Sequence, residues 1–355
     1  MGYPGHGGQN VRWDQKNDLA FAYVTNSLKP AMADFTHTEN YNGNWEPAGS
    51  ALAVYHKGAL VVDIWGGYAD TSGGKKWQQD TMTVTYSTSK AVAAICAAML
   101  VDRGYLDYDR LVSHYWPEYG KNGKECTTVK MVLTHEARLP IFSQKITRDH
   151  VTNRKLMGKL IEEETPLWTP GQKIGYHLLT YGWLVDQLIQ KSDPNHRSCR
   201  QFYTEEIQEK YDTDWYCGLP KSEERRVAKL VTPSWSQWLR NMTDPPMRRW
   251  YRDRYLQWPN HLSNKVWTEP EWLMRKGLSL LAEPPYSEME LWSANGIGTA
   301  RGLCKIFSLF GEGELVKNKN LLKKLQIPLH VGERDDLVHY DVTGGYGFFH
   351  NDSPK

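Results

Sequence analysis

The chain has 355 residues, of which 24% are charged and 40% are hydrophobic, and its formal net charge at pH 7 is +2. This composition is ordinary for a globular protein, and the length suffices for a large core. The balance of 43 basic and 41 acidic residues gives no indication of nucleic acid as a partner. No apolar run reaches the roughly 18 residues that a membrane-spanning helix needs.

The five cysteines are widely spaced and form neither a C-x-x-C pair nor a cluster with histidine. Such spacing predicts reduced thiols and no zinc site. The N-terminal residues, MGYPGHGGQN, include no apolar segment of the kind that a signal peptide requires. We therefore expect a cytoplasmic protein that uses neither a metal nor another cofactor.

The N-terminal part of the chain predicts strands. After a glycine cluster, residues 10–13 and 19–26 form a predicted β-hairpin, and the polar, aperiodic residues 30–44 are typical of a linker. A second hairpin is predicted from residues 51–55 and 59–65. The long apolar runs of this second hairpin indicate strands that are buried on both faces of a sheet.

The middle of the chain, from residue 90 to about residue 287, is mainly helical in its apolar spacing. Residues 128–134 and 180–191 predict helices within it, and residues 299–309 predict a later helix capped by Thr299. The glycine-rich residues 344–349 predict a strand. This order indicates an α+β fold with a sheet lobe, a helical lobe and a cleft between them.

Ser87 and Lys90 form the pattern that points most directly to chemistry. They are the ends of an S-x-x-K tetrad at the start of an apolar helix, and residues three apart share one helix face. A serine hydroxyl becomes a nucleophile when an adjacent base takes its proton. Lysine is such a base only when neutral, which burial or the positive end of a helix favours. The alternative is that Ser87 is an ordinary helix N-cap.

The sequence contains two further patterns of possible chemical significance. A second tetrad, from Ser72 to Lys75, lies in a glycine-rich turn with no helix after it, so we attribute it to chance. Tyr176 follows a turn just before the helix predicted at residues 180–191. A tyrosine near a lysine ammonium ionises more readily and can act as a general base. The alternative is that Tyr176 only packs, as one of 20 tyrosines.

These segments together resemble the serine β-lactamase and penicillin-binding protein family. The most similar branch is the class C-like one, which includes carboxylesterases and animal β-lactamase-domain proteins. The resemblance runs in family order from about residue 45 to residue 355. It is carried by WEPAGSALAV (45–54), DIWGGYAD (63–70), STSK (87–90), VLTH (132–135), GYH (175–177), YGWL (181–184) and NGIGTAR (295–301). His135, in the Leu-Thr-His segment, is expected to be structural.

The resemblance implies a reaction on a small ester or amide substrate. Ser87 would attack the carbonyl carbon and form an acyl-enzyme, which water then hydrolyses. Lys90 and Tyr176 would carry the proton from Ser87 to the leaving group. The oxyanion would be held by the backbone N–H of Ser87 and by an N–H from the edge of a strand.

The C-terminus departs from the family pattern. The family's third motif, Lys or His followed by any residue and Gly, lies on a strand after a G-x-G-F run. Here residues 345–348 supply that run, but the sequence ends at Lys355 before any such motif. Residues 2–29 are similar to the missing segment, so we expect the C-terminal strands of the fold to be displaced to the N-terminus.

Within that displaced segment, Tyr3, Pro4 and Gly5 stand where the family usually has His-Pro-Gly. His6 would then offer its backbone N–H to the oxyanion, and its side chain would partly replace the missing histidine. The third-motif candidates are therefore Tyr3, Gly5 and His6.

The predicted organisation has three parts: a strand segment at residues 1–29, a linker at 30–44 and a β-lactamase-related domain at 45–355 that lacks its last strands. In that domain residues 45–90 and 291–355 would form the sheet lobe, and residues 91–290 the helical lobe. The chain is either a slice of a tandem array, which we favour, or a circular permutant. The linker would replace the helices that cover the sheet in the family, which leaves an apolar face and favours homo-oligomers.

Three functions remain open from the sequence. The leading one is a serine hydrolase of esterase or β-lactamase type. The second is a catalytically weak or inactive relative that serves as a scaffold or oligomerising protein, because the third motif is altered and the ends are displaced. The third is a lipid- or ligand-binding protein with a cleft lined by some of the 15 Trp and 20 Tyr residues.

Overall fold

The computed structural model describes residues 1–28, 48–232, 262–275 and 277–350, together with residues 235 and 239. The predicted linker at 30–44 and all of residues 240–261 therefore lie outside the described residues.

The strands of the described residues form two sheets. They are β1 (Gly2–Pro4), β2 (Asn10–Asp14), β3 (Leu19–Thr25), β4 (Gly49–His56), β5 (Ala59–Asp70), β6 (Lys75–Lys76), β7 (Thr83–Tyr86), β8 (Trp215–Cys217), β9 (Gly296–Gly298), β10 (His330–Arg334), β11 (Asp341–Gly345) and β12 (Phe348–Phe349). The large sheet has the order β10-β11-β12-β1-β2-β3-β4-β5-β6, and the small sheet has the order β7-β9-β8.

The helices of the described residues are mostly short. They are α1 (Thr88–Asp102), α2 (Val112–Tyr115), α3 (Val129–Leu133), α4 (Arg148–Thr152), α5 (Arg154–Glu163), α6 (Thr180–Ser192), α7 (Cys199–Tyr203), α8 (Glu209–Tyr211), α9 (Leu262–Thr268), α10 (Glu271–Met274), α11 (Ala300–Gly311) and α12 (Lys319–Leu325). In the part of the chain that the structure covers, none of them has the length and apolarity to cross a membrane.

The first three strands are inserted into the large sheet rather than attached to its edge. Gly2 of β1 pairs with Phe349 of β12, and β3 pairs with β4 from Leu19 opposite His56 to Thr25 opposite Ser50. All of these pairs are antiparallel. The N-terminal strands thus occupy the sheet position expected for displaced C-terminal strands, next to the last described strand.

Local sequence explains the two predicted hairpins. Asp14 closes the β2–β3 turn, because its carboxylate accepts hydrogen bonds from the Lys16 backbone N–H and the Asn17 side chain. The β4–β5 turn contains Lys57 and Gly58, both at positive φ, which is the geometry of a two-residue hairpin turn matched to the twist of its strands.

Helix α1 positions the candidate nucleophile. It begins immediately after β7, and each residue from Thr88 to Leu100 is buried. A helix that is apolar on every side belongs in the interior of a protein. Helix α6 packs against α1, and α11 packs across β2, β3 and β4 on one face of the large sheet. Ser87 therefore stands where the sheet and the helices meet.

Two sequence expectations about secondary structure were wrong in detail. Strand β5 is largely exposed, because only the two-residue β6 pairs beyond it and both its faces meet solvent; Val61 is 55% exposed. The tail is a hairpin of β11 and β12 rather than one strand, since Tyr346 and Gly347 turn the chain at positive φ.

The packing of the N-terminal strands can be tested with Trp13→Ala. The Trp13 side chain is buried, and its ring lies 5.9 Å from the Phe310 ring of α11. Its removal leaves a cavity, so we expect the free energy of unfolding to fall by about 3–5 kcal/mol. Chemical denaturation measures this loss.

The matched control is Lys16→Ala on the same hairpin, where the side chain is exposed. That change should alter the free energy of unfolding by less than about 0.5 kcal/mol. Equal effects of the two substitutions would mean that β2 and β3 do not dock on α11.

Candidate active site

Ser87 lies in a tight connection between β7 and α1. Tyr86, the residue before it, has a φ of 47°, in the left-handed region that a bulky residue rarely adopts. Backbone strain of this kind persists where the surrounding structure enforces it, often at functional sites. Ser87 occupies the N-cap position, but its hydroxyl makes no capping hydrogen bond. The ordinary N-cap interpretation of Ser87 therefore fails.

The Ser87 hydroxyl instead meets the two other predicted residues. Its Oγ accepts a hydrogen bond from the Tyr176 hydroxyl at 2.9 Å and lies 3.4 Å from Lys90 Nζ. The structure thus brings together Ser87, Lys90 and Tyr176, which are 89 residues apart along the chain at their widest.

Lys90 is fully buried, with 0% of its surface exposed. Its side-chain nitrogen donates to the backbone carbonyls of Leu178 at 2.9 Å and Ser293 at 2.7 Å. Burial lowers the pKa of Lys90 well below its usual range, because the charged form loses hydration. This direction agrees with the expectation that desolvation frees the amine to act as a base.

The pKa of Tyr176 is shifted upward, whereas the sequence predicted a tyrosine that ionises more readily beside a lysine. Burial raises the pKa of Tyr176 to about 12, although hydrogen bonds with Ser87 and Tyr3 act in the opposite direction. Lys90 Nζ lies 4.8 Å from the centre of the Tyr176 ring, yet the loss of hydration outweighs this neighbour. The pKa of Tyr176 therefore lies well above pH 7, and its hydroxyl donates a hydrogen bond to Ser87 Oγ.

The loop that carries Tyr176 is held by two buried imidazoles. His177 Nε2 accepts from the Leu139 N–H at 3.0 Å, while its Nδ1 lies 2.6 Å from the Gly175 carbonyl oxygen. The His177 backbone N–H donates to His135 Nδ1 at 3.1 Å. Asp335 also accepts a hydrogen bond from the Tyr176 backbone N–H. These contacts fix the backbone on both sides of the phenol.

Tyr3 brings the displaced N-terminal segment into this cluster. Its hydroxyl lies 3.5 Å from the Tyr176 hydroxyl and 3.3 Å from His135 Nε2. The His6 ring packs edge-on against Tyr86, with 5.3 Å between ring centres, and the role expected for the His6 side chain stays a prediction. The Tyr3 hydroxyl is the group of this segment that lies beside His135 and Tyr176.

Gly5 lets the segment approach the nucleophile closely. A Cβ at this position would lie 2.4 Å from the Thr85 carbonyl oxygen and 2.9 Å from Gln9 Cβ. Thr85 is two residues before Ser87. The third-motif candidates thus pass directly beside the connection that carries Ser87.

Sequence reasoning missed the two carbonyls that bind Lys90. Ser293 has a second role, since its hydroxyl donates to the Leu179 carbonyl at 2.6 Å and accepts from the Gly182 N–H at 2.6 Å. Ser293 therefore links the start of α6 to the Lys90 amine. In the sequence, Ser293 was marked only by its position two residues before Asn295, the first residue of the NGIGTAR segment that carries the family resemblance.

A small cleft opens beside the cluster. It has an empty volume of about 370 Å³, and Tyr3, His135 and Tyr176 line it together with residues of β11 and β12. The second S-x-x-K tetrad is remote from it: the Ser72 hydroxyl donates to Asp70 at 2.7 Å, and Lys75 Nζ donates to the Arg225 carbonyl at 2.5 Å. That tetrad carries no site.

An antiparallel sheet beside a helical lobe, with a serine at their junction, is the β-lactamase and transpeptidase-like fold. The β-lactamase family model matches residues 41–355. The chain is 31% identical over 277 residues to the esterase/β-lactamase LipL of Mycobacterium tuberculosis, a match that covers 75% of this chain. It spans 59% of the length of that relative. The chain belongs to the β-lactamase family.

Solved structures agree with this assignment. A penicillin-binding protein homologue from Caulobacter crescentus superposes with a TM-score of 0.72 at 29% identity, over 88% of this chain and 78% of that one. A family VIII carboxylesterase superposes with a TM-score of 0.72 at 23% identity, over 87% of this chain and 79% of that one. The second comparison bears on the fold alone.

The close approach at Gly5 can be tested with Gly5→Ala. The added methyl group collides with backbone, which cannot move aside as a side-chain end can, so we expect a loss of about 1–3 kcal/mol in the free energy of unfolding. Gly66→Ala on β5 is the control, because nothing lies within 4 Å of its Cβ position. If both variants unfold at the same denaturant concentration, the segment does not pack beside Thr85.

Proposed function

We propose that this chain is a serine hydrolase that cleaves small esters or amides through an acyl-enzyme on Ser87. The proposal is carried by one observation: Ser87 Oγ lies within hydrogen-bonding distance of both a buried lysine amine and a neutral phenol. Membership of the β-lactamase family supports it, and the name of the M. tuberculosis relative favours an ester substrate.

Lys90 is the proposed general base. In its neutral form it takes the Ser87 proton while Oγ bonds to the carbonyl carbon and the carbonyl electron pair moves to oxygen. When the tetrahedral intermediate collapses, the bond to the leaving group breaks. Tyr176 gives its proton to the leaving group, and the Lys90 ammonium returns a proton to Tyr176. The transfer from Ser87 to Lys90 runs over the 3.4 Å contact between Oγ and Nζ, and the transfer from Lys90 to Tyr176 is direct, because Nζ lies 4.8 Å from the centre of the Tyr176 ring.

The oxyanion is assigned to backbone N–H groups. Ser87 stands at the start of α1, whose first N–H groups have no partner within the helix. His6 begins the short 3-10 turn His6–Gly8, beside the nucleophile because of Gly5. We assign one N–H to each of Ser87 and His6; one such donor is worth about two to three orders of magnitude in rate.

Deacylation uses the same groups in the reverse sense. Lys90, neutral again after acylation, takes a proton from water as the water oxygen attacks the acyl carbon. The proton then returns to Ser87 Oγ as the acyl bond breaks. Lys90 can serve in both steps, because its Nζ lies 3.4 Å from Ser87 Oγ and burial lowers its pKa.

The first test is the intact mass of the protein after incubation with a fluorophosphonate, which phosphonylates activated serines. We expect one adduct on the wild type and none on Ser87→Ala, because the buried Lys90 amine lies 3.4 Å from the Ser87 hydroxyl oxygen and can take its proton. Ser89→Ala is the matched control: it changes a neighbouring serine whose hydroxyl bonds the Tyr86 carbonyl and the Gly296 N–H. It should still be labelled at Ser87.

An unlabelled but folded wild type would contradict the hydrolase proposal. The scaffold function would then be favoured, and sizing of the protein would be the next measurement. Labelling that persists in Ser87→Ala would show that the reactive group lies elsewhere.

The pH dependence of labelling identifies the base. Only neutral Lys90 accepts the proton, so the rate should rise with pH and level off once Lys90 is neutral. Since burial depresses its pKa, the plateau should lie well below the usual lysine value of about 10.4. Were ionised Tyr176 the base, the rate would still climb tenfold per pH unit at pH 10, because the pKa of Tyr176 is about 12.

A further inference from the structure

The position of the third-motif base holds a tyrosine in this chain. The Tyr3 hydroxyl is buried, and burial together with Tyr176 and Tyr181 raises the pKa of Tyr3 well above its usual value. A neutral hydroxyl has one proton to give and cannot act as the cation that Lys supplies. Any role of Tyr3 in the site therefore depends on which neighbour its hydroxyl donates to and which it accepts from.

His135 determines that direction through its tautomer. Its Nδ1 accepts the backbone N–H of His177 at 3.1 Å, so Nδ1 carries no proton. Burial, His177 and Lys90 lower the pKa of His135 well below its usual range, so the imidazole is neutral. The single ring proton is then on Nε2, which lies 3.3 Å from the Tyr3 hydroxyl oxygen. His135 is the donor in that contact.

The remaining hydrogen bonds follow in order. Because Tyr3 accepts from His135, its own O–H is free to point at the Tyr176 oxygen, 3.5 Å away. Because Tyr176 accepts from Tyr3, its O–H points at Ser87 Oγ, 2.9 Å away. The hydrogen bonds therefore run in one direction, from His135 to Tyr3, from Tyr3 to Tyr176 and from Tyr176 to Ser87.

We propose that His135 and Tyr3 are positioning residues that hold the Tyr176 hydroxyl as a proton donor to the leaving group. They replace the third-motif base with a hydroxyl from the displaced strand and an imidazole from the end of α3. This inference rests on the proposed hydrolase function. It departs from the sequence expectation that His135 is only structural.

His135 makes two hydrogen bonds, and two substitutions separate them. His135→Gln places an amide N–H near the Nε2 position and retains a donor to Tyr3. His135→Asn places an amide oxygen near the Nδ1 position and retains the acceptor for the His177 N–H, but it loses the donor to Tyr3. A positioning role predicts that the Gln variant is the better enzyme. A structural role predicts the opposite.

Two acetate esters separate proton donation from general damage. Ethyl acetate releases an alkoxide that needs a proton, whereas p-nitrophenyl acetate releases a phenolate that leaves without one. We expect His135→Asn and Tyr3→Phe to lower kcat/KM for ethyl acetate about tenfold more than for p-nitrophenyl acetate. His135→Gln should recover most of that difference. His56→Asn, at the exposed end of β4, should leave both rates unchanged.

The double variant Tyr3→Phe/His135→Asn completes a cycle. If His135 acts through Tyr3, the double variant should be no worse than Tyr3→Phe alone, since the two residues serve one hydrogen-bond path. Tyr3→Phe keeps the ring that packs 4.7 Å from Phe349, so it tests the hydroxyl even if the His135 variants unfold. Thermal unfolding of each variant reports its folding.

The outcomes distinguish the two proposals. A wild type that neither takes up fluorophosphonate nor hydrolyses either ester overturns the hydrolase function and this inference with it. An active wild type in which Tyr3→Phe slows both esters equally, or neither, overturns the positioning role alone. His135→Asn that outperforms His135→Gln also overturns it, and assigns His135 to the backbone of the Tyr176 loop.

Discussion

Burial of the Lys90 amine is the constraint on which the rest of the site depends. A fully buried lysine is unfavourable unless it gives up its proton or finds polar partners. This chain provides both, because α1 is buried on all sides and the carbonyls of Leu178 and Ser293 converge on Nζ. Those carbonyls come from the start of α6 and the approach to β9, so the amine ties the helical lobe to the small sheet. The packing that depresses the pKa of Lys90 is therefore the same packing that holds the two lobes together.

The N-terminal strands contribute to the candidate site as well as to the large sheet. β1 lies between β12 and β2, and only from that position does the segment that follows it pass beside Thr85 and Ser87. A sheet without β1–β3 would lack its link between β12 and β4 and would leave Tyr176 without the Tyr3 hydroxyl. Ala48 N–H donates to Ser27 Oγ at 3.2 Å, so the two ends of the connection between β3 and β4 lie side by side. The strand pairing that joins β12 to β4 therefore also places the Tyr3 hydroxyl beside Tyr176.

Much of this arrangement was predictable from local patterns. The hairpins follow from apolar runs and turn residues, and the S-x-x-K spacing on a helix places Lys90 beside Ser87. The exposure of β5 was not predictable, because an apolar run does not show which strand lies at the sheet edge. The rise in the pKa of Tyr176 was not predicted. The resemblance to a known family indicated that a lysine lies near Tyr176, but it did not indicate how deeply the phenol is buried. The carbonyl partners of Lys90 were not predicted, because every residue has a backbone carbonyl and no sequence pattern shows which of them will bind a lysine.

The contact between Tyr3 and His135 shows where sequence reasoning ends, since it joins residues 132 positions apart. Neither residue suggests the other, and a tyrosine in place of a base suggests a damaged site. The geometry instead places the Tyr3 hydroxyl between the His135 imidazole and the Tyr176 hydroxyl. A cation at that place would favour ionised Tyr176, whereas a neutral hydroxyl that accepts from an imidazole favours protonated Tyr176. In the proposed mechanism the two groups then have different roles: the neutral Lys90 amine takes the Ser87 proton, and the protonated Tyr176 phenol gives a proton to the leaving group. Under that proposal, a tyrosine at the third-motif position leaves the activation of Ser87 intact.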